Sequence, residues 1–396
     1  MTADDRVLKP ELREKKMKLI LNAMREMEID AWLIFSREGN EDPVAADFGL
    51  GSLSARCAGI LHVDGNRPAV AGSIEVETVR QRGFYQEILG YGREGVGPKL
   101  YEIISNLKPK KIAVNMSQDY GLADGLSSGM REYLIRSLRD YGGRLVSAED
   151  LVITLRAQLL PEEIEYMKES IAECEDILRE AERDYIRAGR KDREIHEHIK
   201  SLVYGSGLET AWAEVCPSVT IGTNPPGHVA YHDDVLEDGD FLRIDFGVRF
   251  EGYCSDVQRV YWVGSREIPA EVKKMFKAAR QANDAALRVL RPGVEGYVPD
   301  QASRGVVLAS GYPDFPHGTG HALGRAAHEV GPALGPRWPE RYGRAAEKKV
   351  RPEMTFTVEP SVYGPYGVCN IEQDVLVTED AWVPLSTSQD EIIRIR

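Results

Sequence analysis

The C-terminal half of this chain puts carboxylates inside its most strand-like runs, and does so twice. Asp245 sits in Leu242-Arg243-Ile244-Asp245-Phe246, and Glu359 closes Met354-Thr355-Phe356-Thr357-Val358-Glu359. Such apolar runs predict largely buried strands, where an uncompensated charge is costly. The first run, expected as a strand over about 241–250, passes Glu251-Gly252, a turn signal, into a second strand over about 253–263 that carries Asp256. With the turn there, Phe250 faces Tyr253 and Gly247 faces Asp256. Asp245 and Asp256 then share one face as diagonal neighbours, about 7–8 Å apart at the backbone. The second run returns through Gly364-Pro365-Tyr366-Gly367 into a strand with Glu372, and the odd separation of Glu359 from Glu372 permits direct pairing. Acids this close repel one another unless a cation lies between them, so a bound metal is the simplest explanation.

The surrounding pattern gives the hairpins a frame. Pro161-Glu162-Glu163 opens a long amphipathic helix with Pro and acids in its first turn, expected to stop at Gly189. A second helix is expected over 192–203, then the first hairpin. Pro269-Ala270-Glu271 opens another helix, to about Leu290, followed by one over 299–309 and the second hairpin. Two helices and a hairpin, twice, predict an internally duplicated α+β domain. The first third reads differently. A helix over 12–28, a strand over 31–35, a hairpin around Asp64-Gly65-Asn66-Arg67, a strand over 111–115 and a helix from Ser128, taken as its cap, predict a smaller α/β domain. The expected division is 1–155 and 156–396.

Where the eight histidines fall matters more than their number. His228 and His232 precede Asp245, and His317, His321 and His328 lie between the hairpins, so five of the eight flank the acids. His317 and His321 are four apart, but Gly318 and Gly320 argue against a helical pair of ligands. Composition excludes other classes. A formal net charge of −13 argues against nucleic acid or an anionic membrane surface as partner. No run approaches the roughly 18 apolar residues of a membrane span. Five scattered cysteines without a C-x-x-C, and a start without an apolar core, lead us to expect a reducing cytoplasm and no signal peptide.

The residues Ile244-Asp245-Phe246-Gly247, Tyr253-Cys254-Ser255-Asp256, His317-Gly-Thr-Gly-His321, Phe356-Thr-Val-Glu359-Pro360 and Ile371-Glu372 resemble the pita-bread metallopeptidases, peptidase family M24. The likeness is closest to the prolidase and aminopeptidase P branch. It covers about Leu155 to Arg396; the first third is matched only by position and pattern. The resemblance implies that Asp245, Asp256, His321, Glu359 and Glu372 hold two divalent metal ions per subunit, Mn²⁺ foremost, with Co²⁺, Zn²⁺ or Fe²⁺ as alternatives. Asp256 and Glu372 would hold both ions, Asp245 one, and His321 with Glu359 the other. It implies hydrolysis of Xaa-Pro bonds in a small peptide, with Glu359 as general base and His228 and His328 bonding the reacting carbonyl or amide. His317, His232 and Asn370 are expected at the substrate, and a homodimer is the family expectation.

Two departures qualify this. Prolidase and aminopeptidase P typically have Arg two residues before the last ligand, where this chain has Asn370, and Asp after it, where it has Gln373. Asn makes no charged bidentate bond to a carboxylate. The loss favours either another cation, with Arg325, Arg337, Arg341 and Arg344 as candidates, or a non-peptidase relative, creatinase-like or dimethylsulfoniopropionate-lyase-like. The acidic run Glu38-Gly-Asn-Glu41-Asp42-Pro43 also departs from the family's usual segment, and is read as a surface loop or one reaching the partner subunit's site.

Overall fold

The computed structural model describes residues 7–51, 53–213, 215–225 and 229–396. The chain divides into two compact units, residues 1–156 and 157–396.

The first unit is a mixed six-stranded sheet with helices. In chain order it comprises α1 (Pro10–Glu26), β1 (Ala31–Ser36), β2 (Cys57–His62), β3 (Pro68–Gly72), α2 (Val76–Gln81), β4 (Glu87–Tyr91), α3 (Val96–Leu107), β5 (Ile112–Val114), α4 (Ser128–Leu138), β6 (Leu145–Ser147) and α5 (Glu149–Ala157). The strand order is β4-β3-β2-β1-β5-β6, with β1 antiparallel to β2 and parallel to β5. Every residue of central strand β1 is buried, as its unbroken apolar sequence requires. Leu33, Phe35, Ile60 and Val70 pack on Leu100 and Ile104 of α3 and Leu134 of α4. The cap of α4 is Ser127 rather than Ser128, its hydroxyl accepting from the Met130 N–H. The run from Glu38 to Pro43 is not uniformly a surface loop. Glu38 and Glu41 are exposed, but Asp42 is buried and accepts from Val44 N at 3.0 Å and Asn115 Nδ2 at 2.7 Å.

The second unit repeats one motif. Helices α6 (Pro161–Asp184) and α7 (Asp192–Gly205) precede β7 (Glu209–Thr210), β8 (Ser218–Ile221), β9 (Phe241–Phe246), β10 (Val248–Phe250), β11 (Tyr253–Cys254) and β12 (Val257–Val263). Helices α8 (Ala270–Val289) and α9 (Tyr297–Ala309) precede β13 (Ala322–Leu323), β14 (Thr355–Val358), β15 (Ser361–Gly364), β16 (Gly367–Asn370), β17 (Gln373–Val377), β18 (Trp382–Pro384) and β19 (Ile393–Ile395). Two four-stranded sheets result, ordered β19-β12-β9-β8 and β13-β14-β17-β18. Helix α6 stops at Asp184, short of Gly189. Ile186 turns into the core and the Tyr185 ring stacks on His198 of α7, 3.8 Å between centroids, so packing ends the helix before glycine does.

Strand alternation decides what faces the site. On β9 the side chains of Leu242, Ile244 and Phe246 join the core beneath α6 and α7. Phe241 points to the opposite face, into the core formed with α8 and α9. Arg243 and Asp245 follow it at period two, continuing that face beyond the apolar part. On β12, Val257 and Tyr261 belong to the first core, Val260 and Trp262 to the second. Gln258, and Asp256 just before the strand, extend the second face.

Candidate metal centre

Both hairpins have the register the sequence predicts. Phe250 pairs with Tyr253 and Phe246 with Val257, so the ladder resumes in step on either side of Gly247 and Asp256. Asp245 pairs with Gln258, leaving Asp256 diagonal to Asp245. In the second hairpin Val358 pairs with Gln373 and Ser361 with Asn370, again in step, so Glu359 and Glu372 occupy facing positions in the gap. In both, three of the four acids lie where the ladder lapses, at a strand end or just outside it.

Backbone approach is tight at two glycines beside these gaps. A Cβ on Gly247 would fall 2.0 Å from Ser255 O, and one on Gly320 would fall 2.0 Å from Thr357 O. Only glycine lets the chains pass there. Glu359 N donates to Thr319 O at 2.7 Å, and His321 N donates to Thr357 Oγ1 at 3.1 Å, tying the His317–His321 segment to β14.

Ligand atoms of Asp256, His321 and Glu372 lie within 4.8 Å of one another. His321 Nε2 is 3.4 Å from Glu359 Oε1 and 3.8 Å from Asp256 Oδ2. Its Nδ1 is 3.1 Å from the Ala322 carbonyl oxygen. A carbonyl only accepts, so Nδ1 carries a hydrogen, and Nε2 is the nitrogen that faces the acids and would ligate a cation there. Both carboxylate oxygens of Glu372 are buried and have no hydrogen-bond partner among the described residues. Acceptors facing acceptors in a buried cluster need a cation. The donors, carboxylates with one imidazole, suit divalent first-row ions. The residues therefore fit the metal centre that the resemblance implies.

The electrostatics agree. Burial, then the charges of Asp245, Glu359 and Asp374, hold the Asp256 carboxyl well above its ordinary range. Burial, then Asp256, Glu359, Asp245 and Asp374, do the same to Glu372. Glu359 moves the other way. Burial raises it, but the hydrogen bond and charge of His321, with His317 and His328 adding, outweigh burial and hold it below its ordinary value.

A cleft of about 610 Å³ opens over the cluster. Asp245, Asp256, His321 and Glu359 line it, with His317, His328 and Asn370; Glu372 lies behind them, buried. His317 Nε2 is 2.6 Å from Ser361 Oγ, and the His328 ring sits edge-on to His321, 4.2 Å between centroids. His232 does not join them. Its backbone N–H donates to Asp192 Oδ2 at 2.7 Å, which pins its loop to the start of α7 instead. His228 lies outside the described residues. Of the four arginines proposed to replace the missing cation, only Arg341 lines the cleft. Arg325 is buried elsewhere, and Arg337 lies over the Tyr297 ring and pairs with Glu295.

The residues not singled out from sequence are Arg243, Gln258, Ser361, Tyr342 and Asp374. Arg243 Nη1 is 3.3 Å from both Gln258 Oε1 and Asn370 Oδ1, and Gln258 Nε2 donates to Glu359 Oε2 at 2.7 Å. The alternation Phe241-Leu242-Arg243-Ile244-Asp245 held the signal, since Arg243 shares the face of Asp245. Asp374 is buried behind Asp256, whose N–H it accepts at 3.2 Å.

Known proteins resemble the chain over most of its length. "Putative dipeptidase YkvY" of Bacillus subtilis is 29% identical over 331 residues, 82% of this chain and 85% of that protein. The structure of an X-Pro aminopeptidase from Thermotoga maritima superposes with a TM-score of 0.71 at 26% identity, covering 94% of this chain and 100% of that one. The structure of a Xaa-Pro dipeptidase from Bacillus anthracis shares the fold, with a TM-score of 0.72 at 22% identity over 96% of this chain and 99% of the other. The second unit thus has the pita-bread architecture, preceded by a separate N-terminal domain. The model of metallopeptidase family M24 matches residues 165–379, and the chain, with a ligand cluster built on two acid-bearing hairpins, belongs to that family.

Proposed function

We propose that the protein is a dinuclear metal-dependent hydrolase that cleaves Xaa-Pro bonds in small peptides. The observation that carries this reading is the cluster of Asp256, His321 and Glu372, flanked by Asp245 and Glu359 at the floor of a cleft. Asp256 and Glu372, the two buried acids, would hold both ions, with Asp245 completing one site and His321 and Glu359 the other. Such a pair polarises a carbonyl and makes water acidic enough to react near neutral pH.

The chain's own residues supply the rest. Glu359 is positioned to take a proton from the attacking water as its oxygen bonds to the scissile carbonyl carbon. The same carboxyl can return that proton to the proline nitrogen as the C–N bond breaks, giving a carboxylic acid and a secondary amine, between which one proton then passes to leave a carboxylate and an ammonium. Gln258 fixes one Glu359 oxygen by its hydrogen bond, leaving the other facing His321. His328 and His317 line the cleft where a carbonyl or tetrahedral oxygen would need a donor. Asn370, bonded to Arg243 and Ser361, is part of the wall that would contact substrate. Arg243 beside it keeps a cation at that place, which removes the main reason to prefer a creatinase-like substrate. The closeness of the X-Pro aminopeptidase and dipeptidase structures supports the substrate class. A cytoplasmic homodimer remains the expectation; among the described residues no helix is long and apolar enough to cross a membrane.

The test is turnover of Ala-Pro, Leu-Pro and an Xaa-Pro tripeptide by the purified protein before and after Mn²⁺ addition. Cleavage at the Xaa-Pro bond that rises with Mn²⁺ is expected. A fully metal-loaded protein that cleaves none of the three would contradict the peptidase reading.

A further inference from the structure

Arg243 is a cation built into the wall of the cleft, with a side chain only 7% exposed. Its hydrogen bonds go to two neutral amide oxygens, of Gln258 and Asn370, and its Nε has no partner among the described residues. The one carboxylate within 4.0 Å among the described residues is Asp245, at 3.7 Å. Asp245 is proposed above as a metal ligand, and metal loading would take that counter-charge away. A buried guanidinium left with neutral partners favours an anion from outside. Arg341 also lines the cleft, but it is exposed and screened by water and salt. Tyr363 lines the cleft with both cations; burial raises its phenol, and the charges of Arg243 and Arg341 oppose that rise.

The spacing selects what kind of anion fits. Arg243 Nη2 stands 3.7 Å from Asp245 Oδ2 beside the acid cluster, and one substrate residue spans about 3.3–3.6 Å. A substrate whose scissile carbonyl meets the acid cluster can therefore reach Arg243 with a group one residue further on. In a dipeptide that group is the free α-carboxylate; in a longer peptide it is a neutral amide. Building on the peptidase reading, we infer that Arg243, held by Gln258 and Asn370, is the subsite for the C-terminal carboxylate of a dipeptide and makes the enzyme a dipeptidase rather than an aminopeptidase. Planar, two-pronged binding of a carboxylate is what a guanidinium does best. The contact Arg243–Gln258–Glu359 also couples this subsite to the proposed base.

The experiment uses the full-length, Mn²⁺-loaded protein and titration calorimetry with a reduced-bond Leu-Pro analogue, which is not hydrolysed, and its C-terminal amide. Wild type is expected to bind the acid roughly 10- to 150-fold more tightly than the amide. Arg243→Gln is expected to bring that ratio to about 1–3, and the double variant Arg243→Asn with Asn370→Arg to restore at least about a tenfold preference. In turnover, Leu-Pro is expected to exceed Leu-Pro amide mainly through KM. If wild type binds acid and amide equally, the inference is overturned even where Leu-Pro is cleaved. If Arg243→Gln folds and keeps the full preference, Arg243 is not the subsite. If Arg243→Gln does not fold, the wild-type ratio decides alone. Absence of any Xaa-Pro cleavage by loaded enzyme strikes the peptidase reading instead, whatever the binding ratio.

Discussion

The two hairpins of the catalytic unit solve one problem with different parts. Each contributes a half-buried acid from its outgoing strand, Asp245 or Glu359, and a buried acid from its return strand, Asp256 or Glu372. In the first hairpin the acids are diagonal, and a neutral amide, Gln258, stands opposite Asp245. In the second they face each other directly. The neighbours differ in charge as well. Two residues before Asp245 stands Arg243, and two before Glu372 stands Asn370, in contact with it across the cleft. The lesson is that duplication fixes where the acids stand, while the companions one step further along each strand set what else the cleft holds.

The largest expected effect separates the buried acids from the half-buried ones. Asp256→Asn or Glu372→Gln should remove at least about 10³-fold of activity and reduce bound metal below about one equivalent per chain, since each is proposed to hold both ions. Asp245→Asn should cost about one equivalent only, measured by elemental analysis; equal metal loss from all three would erase the distinction. Glu359→Gln probes the second hairpin's half-buried acid. It should lower kcat by about 10²–10⁴-fold with circular dichroism unchanged, and full retained activity would remove Glu359 as the base.

The glycines compare the hairpins by stability. Gly247→Ala and Gly320→Ala each place a Cβ 2.0 Å from a backbone oxygen, and each should destabilise by about 2–4 kcal/mol, read from thermal melts. Gly305→Ala, in the exposed face of α9 with open space around the new Cβ, should instead stabilise by about 0.5–1 kcal/mol. A loss at Gly305 matching that at Gly247 would show that helix and hairpin glycines are not distinguished by space.

Asp42 sharpens the comparison from outside the site. Like Glu372 it is a buried acid, but hydrogen bonds satisfy it, where both Glu372 oxygens lack partners. Burial, opposed by the bonds from Val44 and Asn115, raises its carboxyl from 3.8 to about 6. A folded-state value above the unfolded one means its contribution to stability is complete below about pH 4 and is lost as pH rises through about 6. Asp42→Asn keeps the acceptor oxygen and should gain about 1–3 kcal/mol over wild type above pH 7 but nothing near pH 4. An equal effect at both pH values would contradict the raised value.

Much of this was legible because it is local. The turns at Glu251-Gly252 and Gly364–Gly367 fix both registers, and period-two alternation then assigns the faces. What stayed hidden is set by distant packing. The bond from Arg243 to Asn370 joins residues 127 apart in sequence. Two-residue strands such as Glu209–Thr210 and Ala322–Leu323 are too short to show a period. His232 looked like its neighbours in sequence but is drawn to α7 by Asp192, and Tyr185 with Ile186 ends α6 five residues before the glycine that sequence favoured.

Metal content measured on the wild-type chain bears most directly on the central claim, that these two hairpins together hold a pair of divalent ions. After saturation with Mn²⁺ and removal of free metal, elemental analysis should find about two equivalents per chain. Less than about half an equivalent would contradict the ligand set itself.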